Sequence, residues 1–278
     1  MVASLNNMAV AFMTSEEHAE AEQFLRRALN KASDMTFFSN NALHLPSKRL
    51  TKNKGISKNL YIYQRGEYDE GMHTFTEPLT IDTMYDEHDY HSVSATILYN
   101  LGQLCMRLDE DEQASEFFYK ALSVSPWSGG PAKGSHGLSM IAILHNIGHI
   151  QYRSGNYEEA VRTYTKALQV GRGSFSEYHI EVAATLNCLG VLHFHMPKAE
   201  TDQAMELYLE SLAIRRAVLG DEHKDVATTL NNIGRIHYMK GEYDQALNLY
   251  REALSIRRSI LGGDHLDVAA TIYNAGQT

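Results

Sequence analysis

The chain has 278 residues, 44% of them hydrophobic and 21% charged, with a formal net charge of −9. That apolar share suits a folded chain rather than a disordered one, and the acidic balance argues against a nucleic-acid partner held by phosphate neutralisation. No apolar run approaches the ~20 residues that span a bilayer.

The N-terminal stretch MVASLNNMAVAFMTSEEHAEAEQ lacks the basic region of a secretory signal. Two cysteines cannot make a disulfide framework. These features predict no membrane association and a reducing, cytoplasmic compartment.

Self-similarity organises the remainder. The first copy of the repeated unit, LNNMAVAFMTSEEHAEAEQFLRRALNK, falls within residues 1–32, with Ala9 at the anchor of the comparison. Residues 33–59 break the rhythm and carry Lys48, Arg49, Lys52, Lys54 and Lys58, with no acid after Asp34. A solvated basic loop is the expectation; a contact to phosphate, an acidic peptide or a microtubule is the functional alternative. A degenerate copy follows at 60–84, where Gly71 replaces the usual alanine and Pro78 sits inside the second helix.

Full copies occupy 93–125, 138–172, 181–218 and 225–262, anchored on Gly102, Gly148, Gly190 and Gly234. Half a copy at 267–278 is anchored on Gly276. Residues 123–139, rich in Pro, Gly and Ser, form an irregular insertion whose Trp127 is expected to tuck against the array.

Each copy reads as two helices. In the copy at 225–262, Leu230, Ile233, Gly234 and His237 fall on one helical face. After Gly241, where the chain can reverse, Tyr243, Ala246, Leu247, Tyr250, Ala253 and Leu254 form a second stripe. A mid-helix glycine costs about 1 kcal/mol against alanine, so its recurrence signals close helix approach.

This pattern resembles the tetratricopeptide repeat. The linker RRxxLGxxHxDVAxT and the TLNNIG that follows it are similar to the longer repeat of kinesin light chains, although Lys224 and Leu266 stand where proline is usual there. The resemblance implies an all-α fold: one right-handed superhelical solenoid of antiparallel helix pairs over 1–278, with first helices lining a concave groove. Neither end reads as a polar cap, so a segment of a longer array is expected, with self-association through the unfinished ends as one consequence.

No catalytic constellation, metal site or cofactor motif stands out. His179, His223 and His265 recur one per linker, too dispersed to gather three or four ligands around one ion. They are expected to pack in the turns, while Glu181, Asp225 and Asp267, two residues on, are placed to cap the following helix. His193 and His195 point to different helix faces. Cys105 and Cys188 lie two copies apart and cannot bridge. The glycine-rich GRGSFS has no preceding strand and carries no phosphate-loop signature.

The expected binding surface is the stripe of each first helix that packing leaves over. It comprises Tyr99, Asn100, Gln103 and Arg107, then His145, Asn146, His149, Tyr152 and Arg153. It continues with Asn187, Phe194 and His195, and ends with Asn231, Asn232, Arg235 and Tyr238. Amides can bond a peptide backbone, aromatics give apolar contact, and arginine pairs with carboxylates. A second role for the asparagines is bonding to the neighbouring repeat.

The stripe points to a non-enzymatic protein-interaction scaffold that binds an acidic or aromatic linear motif. The resemblance adds a narrower version, cargo recognition in a motor complex. The sensor region of a larger signalling protein is an alternative.

Overall fold

The computed structural model describes residues 1–35, 90–124, 135–196 and 200–278. Eleven helices account for the regular structure of these residues: α1 (Val2–Thr14), α2 (His18–Met35), α3 (Tyr90–Arg107), α4 (Asp111–Val124), α5 (Ser135–Arg153), α6 (Tyr157–Ser174), α7 (Ile180–His195), α8 (Thr201–Leu219), α9 (Lys224–Met239), α10 (Tyr243–Leu261) and α11 (Leu266–Gln277). Odd-numbered helices are the first helices of their copies and even-numbered ones the second. The result is an all-α array of helix hairpins.

The degenerate copy 60–84, the basic residues of 33–59 and Trp127 lie outside the described residues. At the margins helix wins over the expected irregularity. α2 runs to Met35, α4 to Val124, and α5 begins at Ser135.

The described chain divides into two compact units, one ending at Ile150 and one starting at Gln151, so the boundary falls inside α5. In the first unit, Ala9, Met13, Leu25 and Leu29 of the first hairpin share a core with Ile97, Leu101, Leu104, Phe117 and Phe118. α3 packs directly on α1: Asn100 Nδ2 donates to Asn6 Oδ1 at 2.9 Å and Arg107 to the Met13 carbonyl at 3.0 Å. The copy at 93–125 is therefore the spatial neighbour of the copy at 1–32. The second unit centres on Tyr164, Leu189, Leu192, Tyr208, Leu230, Ile233 and Ile236. Fully burying a large apolar side chain contributes about 1.5–3 kcal/mol, so these residues dominate the stability of each unit.

Within a hairpin the reversal occurs seven residues after the anchor, in a left-handed backbone conformation. Gly155 (φ 78°) and Gly241 (φ 76°) take it without steric cost, while Glu16 (φ 62°) and Asp109 (φ 58°) take it as non-glycine residues. The turn then closes onto the preceding helix, as where Glu242 N donates to the His237 carbonyl at 2.9 Å.

Between hairpins the expected capping role passes from the acid to the histidine. His179, His223 and His265 are the N-caps of α7, α9 and α11. Their Nδ1 atoms accept from the backbone N–H of Glu181, Asp225 and Asp267 at 3.2, 3.1 and 3.2 Å. The acids instead lie in the first helical turn, where the helix dipole favours negative charge. An imidazole reaches the second N–H of the helix because its Nδ1 stands as far from the backbone as an asparagine oxygen does.

Candidate peptide-binding surface

The expected stripe separates into a buried half and a more open half. Tyr99, Asn100, Gln103, His145 and Asn146 are buried in the first unit, and Asn187, Asn231 and Asn232 in the second. The other eight keep some access to solvent: Arg107 is exposed, and His149, Tyr152, Arg153, Phe194, His195, Arg235 and Tyr238 are half-buried.

The buried amides pair with one another by a fixed rule. The asparagine two residues before an anchor donates to the asparagine three residues before the neighbouring anchor. Besides Asn100 and Asn6, Asn232 Nδ2 donates to Asn187 Oδ1 at 3.4 Å and Asn274 Nδ2 to Asn231 Oδ1 at 3.1 Å. Asn146 departs from the rule and donates to the Ala142 carbonyl at 3.0 Å. The second role for the asparagines, bonding to the neighbouring repeat, is thus realised at three places. A buried amide without a partner costs about 1–3 kcal/mol, which makes this pairing a register device between first helices.

Beside the amides, Tyr99 Oη accepts from Gln103 Nε2 at 3.0 Å. Burial, with His149 nearby, pushes the His145 imidazole down to about 3, so it is neutral at physiological pH.

The more open half sits nearer the hairpin turns. In the second unit it forms one cluster from three consecutive first helices. Arg235 of α9 lies over the Phe194 ring of α7, its guanidinium carbon 4.5 Å from the ring centroid. Its Nη2 is 3.5 Å from His195 Nε2, and Tyr152 of α5 meets the His195 ring edge-on at 6.1 Å. Tyr238 packs on Tyr243 at 5.7 Å, as Tyr152 does on Tyr157 at 5.6 Å. Cation and rings therefore stand together, a geometry worth about 0.5–2 kcal/mol when water is partly excluded.

The periodicity did not anticipate the role of the first arginine of each RR pair. Arg215 and Arg257 are 2% and 1% exposed. Arg215 Nη1 donates to the Asp225 carbonyl at 2.8 Å and to Thr229 Oγ1 at 2.6 Å. Arg257 does the same to the Asp267 carbonyl at 2.9 Å and Thr271 Oγ1 at 2.6 Å. Each locks a second helix to the start of the next first helix. Burial lowers the Arg215 pKa, against the pull of the Asp225 carboxylate and Cys188.

The copy at 138–172 has Gly171 where the later copies have that arginine. There burial and the Asp225 carboxylate raise Glu181 to about 7. The spacing Arg–x9–Asp–x3–Thr was readable as a recurrence, but nothing in it said that the arginine would be buried. Cys105 and Cys188 are buried and form no disulfide, and burial pushes the Cys105 thiol far up, with Glu110 and Glu22 adding to it.

Among the described residues no helix is long and apolar enough to cross a membrane. Models of the tetratricopeptide repeat match residues 2–32, 95–126, 139–201, 181–259 and 240–278. No curated protein matches the chain significantly.

Three solved structures share the architecture. BtubC (BKLC) from P. vanneervenii aligns with a TM-score of 0.58 and 22% identity over 68% of this chain and 74% of that one. The apo form of RapI aligns at 0.64 and 13% over 99% and 84%. The nearly identical TPR-like repeats of a putative kinesin light chain from Podosopora anserina align at 0.58 and 13% over 94% and 98%. At such identities the likeness is one of fold. Matched along more than half its length by models of the same repeat, and built of the hairpins they describe, the chain belongs to the tetratricopeptide-repeat family.

Proposed function

We propose that the protein is a non-enzymatic interaction scaffold that captures a linear segment of another protein. The capture surface is the turn-proximal cluster of the second unit: Tyr152, Phe194, His195, Arg235 and Tyr238. The observation that carries the reading is the guanidinium of Arg235 at 4.5 Å from the Phe194 ring, with His195 and Tyr152 beside it. A guanidinium over a ring face retains the planar N–H donors that pair with a carboxylate. The rings supply apolar area for an aromatic or aliphatic neighbour. An acidic motif with an adjacent aromatic residue is the partner chemistry this combination favours.

The buried amides serve the register of the array within each unit. Two thiols that form no disulfide agree with a cytoplasmic setting. Cargo recognition for a motor is a narrower form of the same proposal, motivated by the linker signature. A peptide array followed by calorimetry tests the reading. Arg235→Gln and Phe194→Ala should each weaken the best acidic–aromatic peptide by about tenfold; the melting temperature should change little for Arg235→Gln and fall for Phe194→Ala, whose ring also packs on the core of the second unit. Undiminished affinity in both variants would refute the capture surface.

A further inference from the structure

Three joints of the second unit, α6–α7, α8–α9 and α10–α11, share one frame. In each, the threonine six residues after the capping histidine donates to the carbonyl two residues after it. These bonds, from Thr185, Thr229 and Thr271, measure 2.7, 3.0 and 2.8 Å. On α9 and α11 the same carbonyl and threonine also hold a guanidinium, that of Arg215 and Arg257 respectively. At α7 the matching position of the preceding helix is Gly171, so this part of the chain supplies no guanidinium. The next residue, Arg172, is engaged by Glu210 of α8.

The same joint differs from the other two in its aromatic and acidic residues. Where α8 and α10 end on Leu219 and Leu261, Phe175 stands and stacks on His179, with ring centroids 4.1 Å apart and planes at 15°. Tyr178 replaces the acids Glu222 and Asp264 and is 65% exposed. Glu181 replaces aspartate and is half-buried, within reach of solvent. Its carboxyl is raised to about 7, by burial first and by Asp225 second. One helical turn beyond Gly171, the Ser174 hydroxyl oxygen is sealed from solvent and has no hydrogen-bond partner among the described residues.

These differences converge on one ligand chemistry. A partly buried carboxyl held beside a second acid gains strongly from a cation. A stacked ring pair offers a flat apolar face, which suits a planar, weakly hydrated guanidinium better than a compact ammonium. The frame itself accepts a guanidinium at two equivalent joints of the same chain. Phe175 and Tyr178 supply in this joint the aromatic contact that the other two lack.

We propose that the α6–α7 joint binds an arginine side chain of a partner protein, its guanidinium paired with the Glu181 carboxylate and flanked by Phe175 and Tyr178. The chemistry is opposite in charge to that of the capture surface proposed above, and either site can fail alone.

The probe is the capped tripeptide Gly-Arg-Gly, titrated at pH 8 and constant ionic strength into the isotopically labelled full chain and followed by NMR. Saturable shifts of the His179 and Glu181 amides are expected, with capped Gly-Lys-Gly binding more weakly. Glu181→Gln should weaken the arginine peptide by at least about tenfold while melting no lower than the parent. Gly171→Arg, which brings the chain's own guanidinium to the frame, should abolish binding and raise the melting temperature. Should that variant not fold, Glu181→Gln carries the test. Absence of saturable shifts, or binding that survives either folded variant, overturns the proposal. Methylguanidinium that binds where the arginine peptide does not would overturn it too, by assigning the joint to a small free cation.

Discussion

The Tyr250 ring lies so close over Gly234 that its Cε1 is 2.6 Å from where a β-carbon would stand. The first copy makes the reciprocal choice: alanine at the anchor, Ala9, and leucine in place of the ring, Leu25, both fully buried. One chain thus holds two solutions to the same packing problem, Gly with an aromatic and Ala with Leu.

That pairing predicts a double-mutant cycle. Gly234→Ala alone should destabilise by about 1–3 kcal/mol through overpacking, more than the helix propensity it gains. Adding Tyr250→Leu should recover at least half of that loss, giving a favourable coupling energy in urea denaturation. Additive losses would show that the two side chains do not sense each other.

The histidine caps predict a second outcome. His223→Ala should lower stability by about 1 kcal/mol, the usual value of an N-cap acceptor. His223→Asn, which restores an acceptor, should stay within a few tenths of the parent. Thermal melts of the two variants would separate a capping role from simple packing of the ring.

Glu181 predicts a pH dependence. Its carboxyl is raised to about 7 in the folded chain, by burial first and by Asp225 second, so the folded state holds a proton that the unfolded state has released. Stability contributed by this group is therefore greatest at low pH and falls as pH rises from about 4.5 to 7. Glu181→Gln should be more stable than the parent at pH 8, with the difference vanishing below about pH 4.5. Denaturant titrations at several pH values would reveal a parallel pair of curves if the group does not titrate there.

Glu16 predicts a gain. It holds a left-handed conformation (φ 62°) at the turn position where Gly155 and Gly241 sit. Glu16→Gly should relieve this strain and stabilise the first unit by about 0.5–1 kcal/mol, net of the extra freedom glycine has when unfolded. Gly241→Glu should do the reverse. Equal melting temperatures for parent and Glu16→Gly would mean that the turn carries no strain.

The helices, their pairing and the turn positions were legible because they depend on local regularities. Apolar residues at i, i+3, i+4 and i+7 define a face, and a glycine seven residues past the anchor marks a reversal. Even the family was readable, since its signature consists of packing residues at fixed separations. The role of Asp225 was misread, because His and Asp both carry an acceptor near the helix start and only backbone geometry selects between them.

What the sequence by itself determined is thus the repeat, its hairpin and its apolar stripes, all set by side-chain periodicity along one helix. What only the tertiary structure decided is which polar residues of a first helix remain open. Asn231 and Arg235 are one helical turn apart, yet one is sealed against the neighbouring α11 while the other lies half-buried on Phe194. That difference depends on where the neighbouring helix crosses, and a helix crossing is fixed by packing between segments about 40 residues apart rather than by the pattern within either.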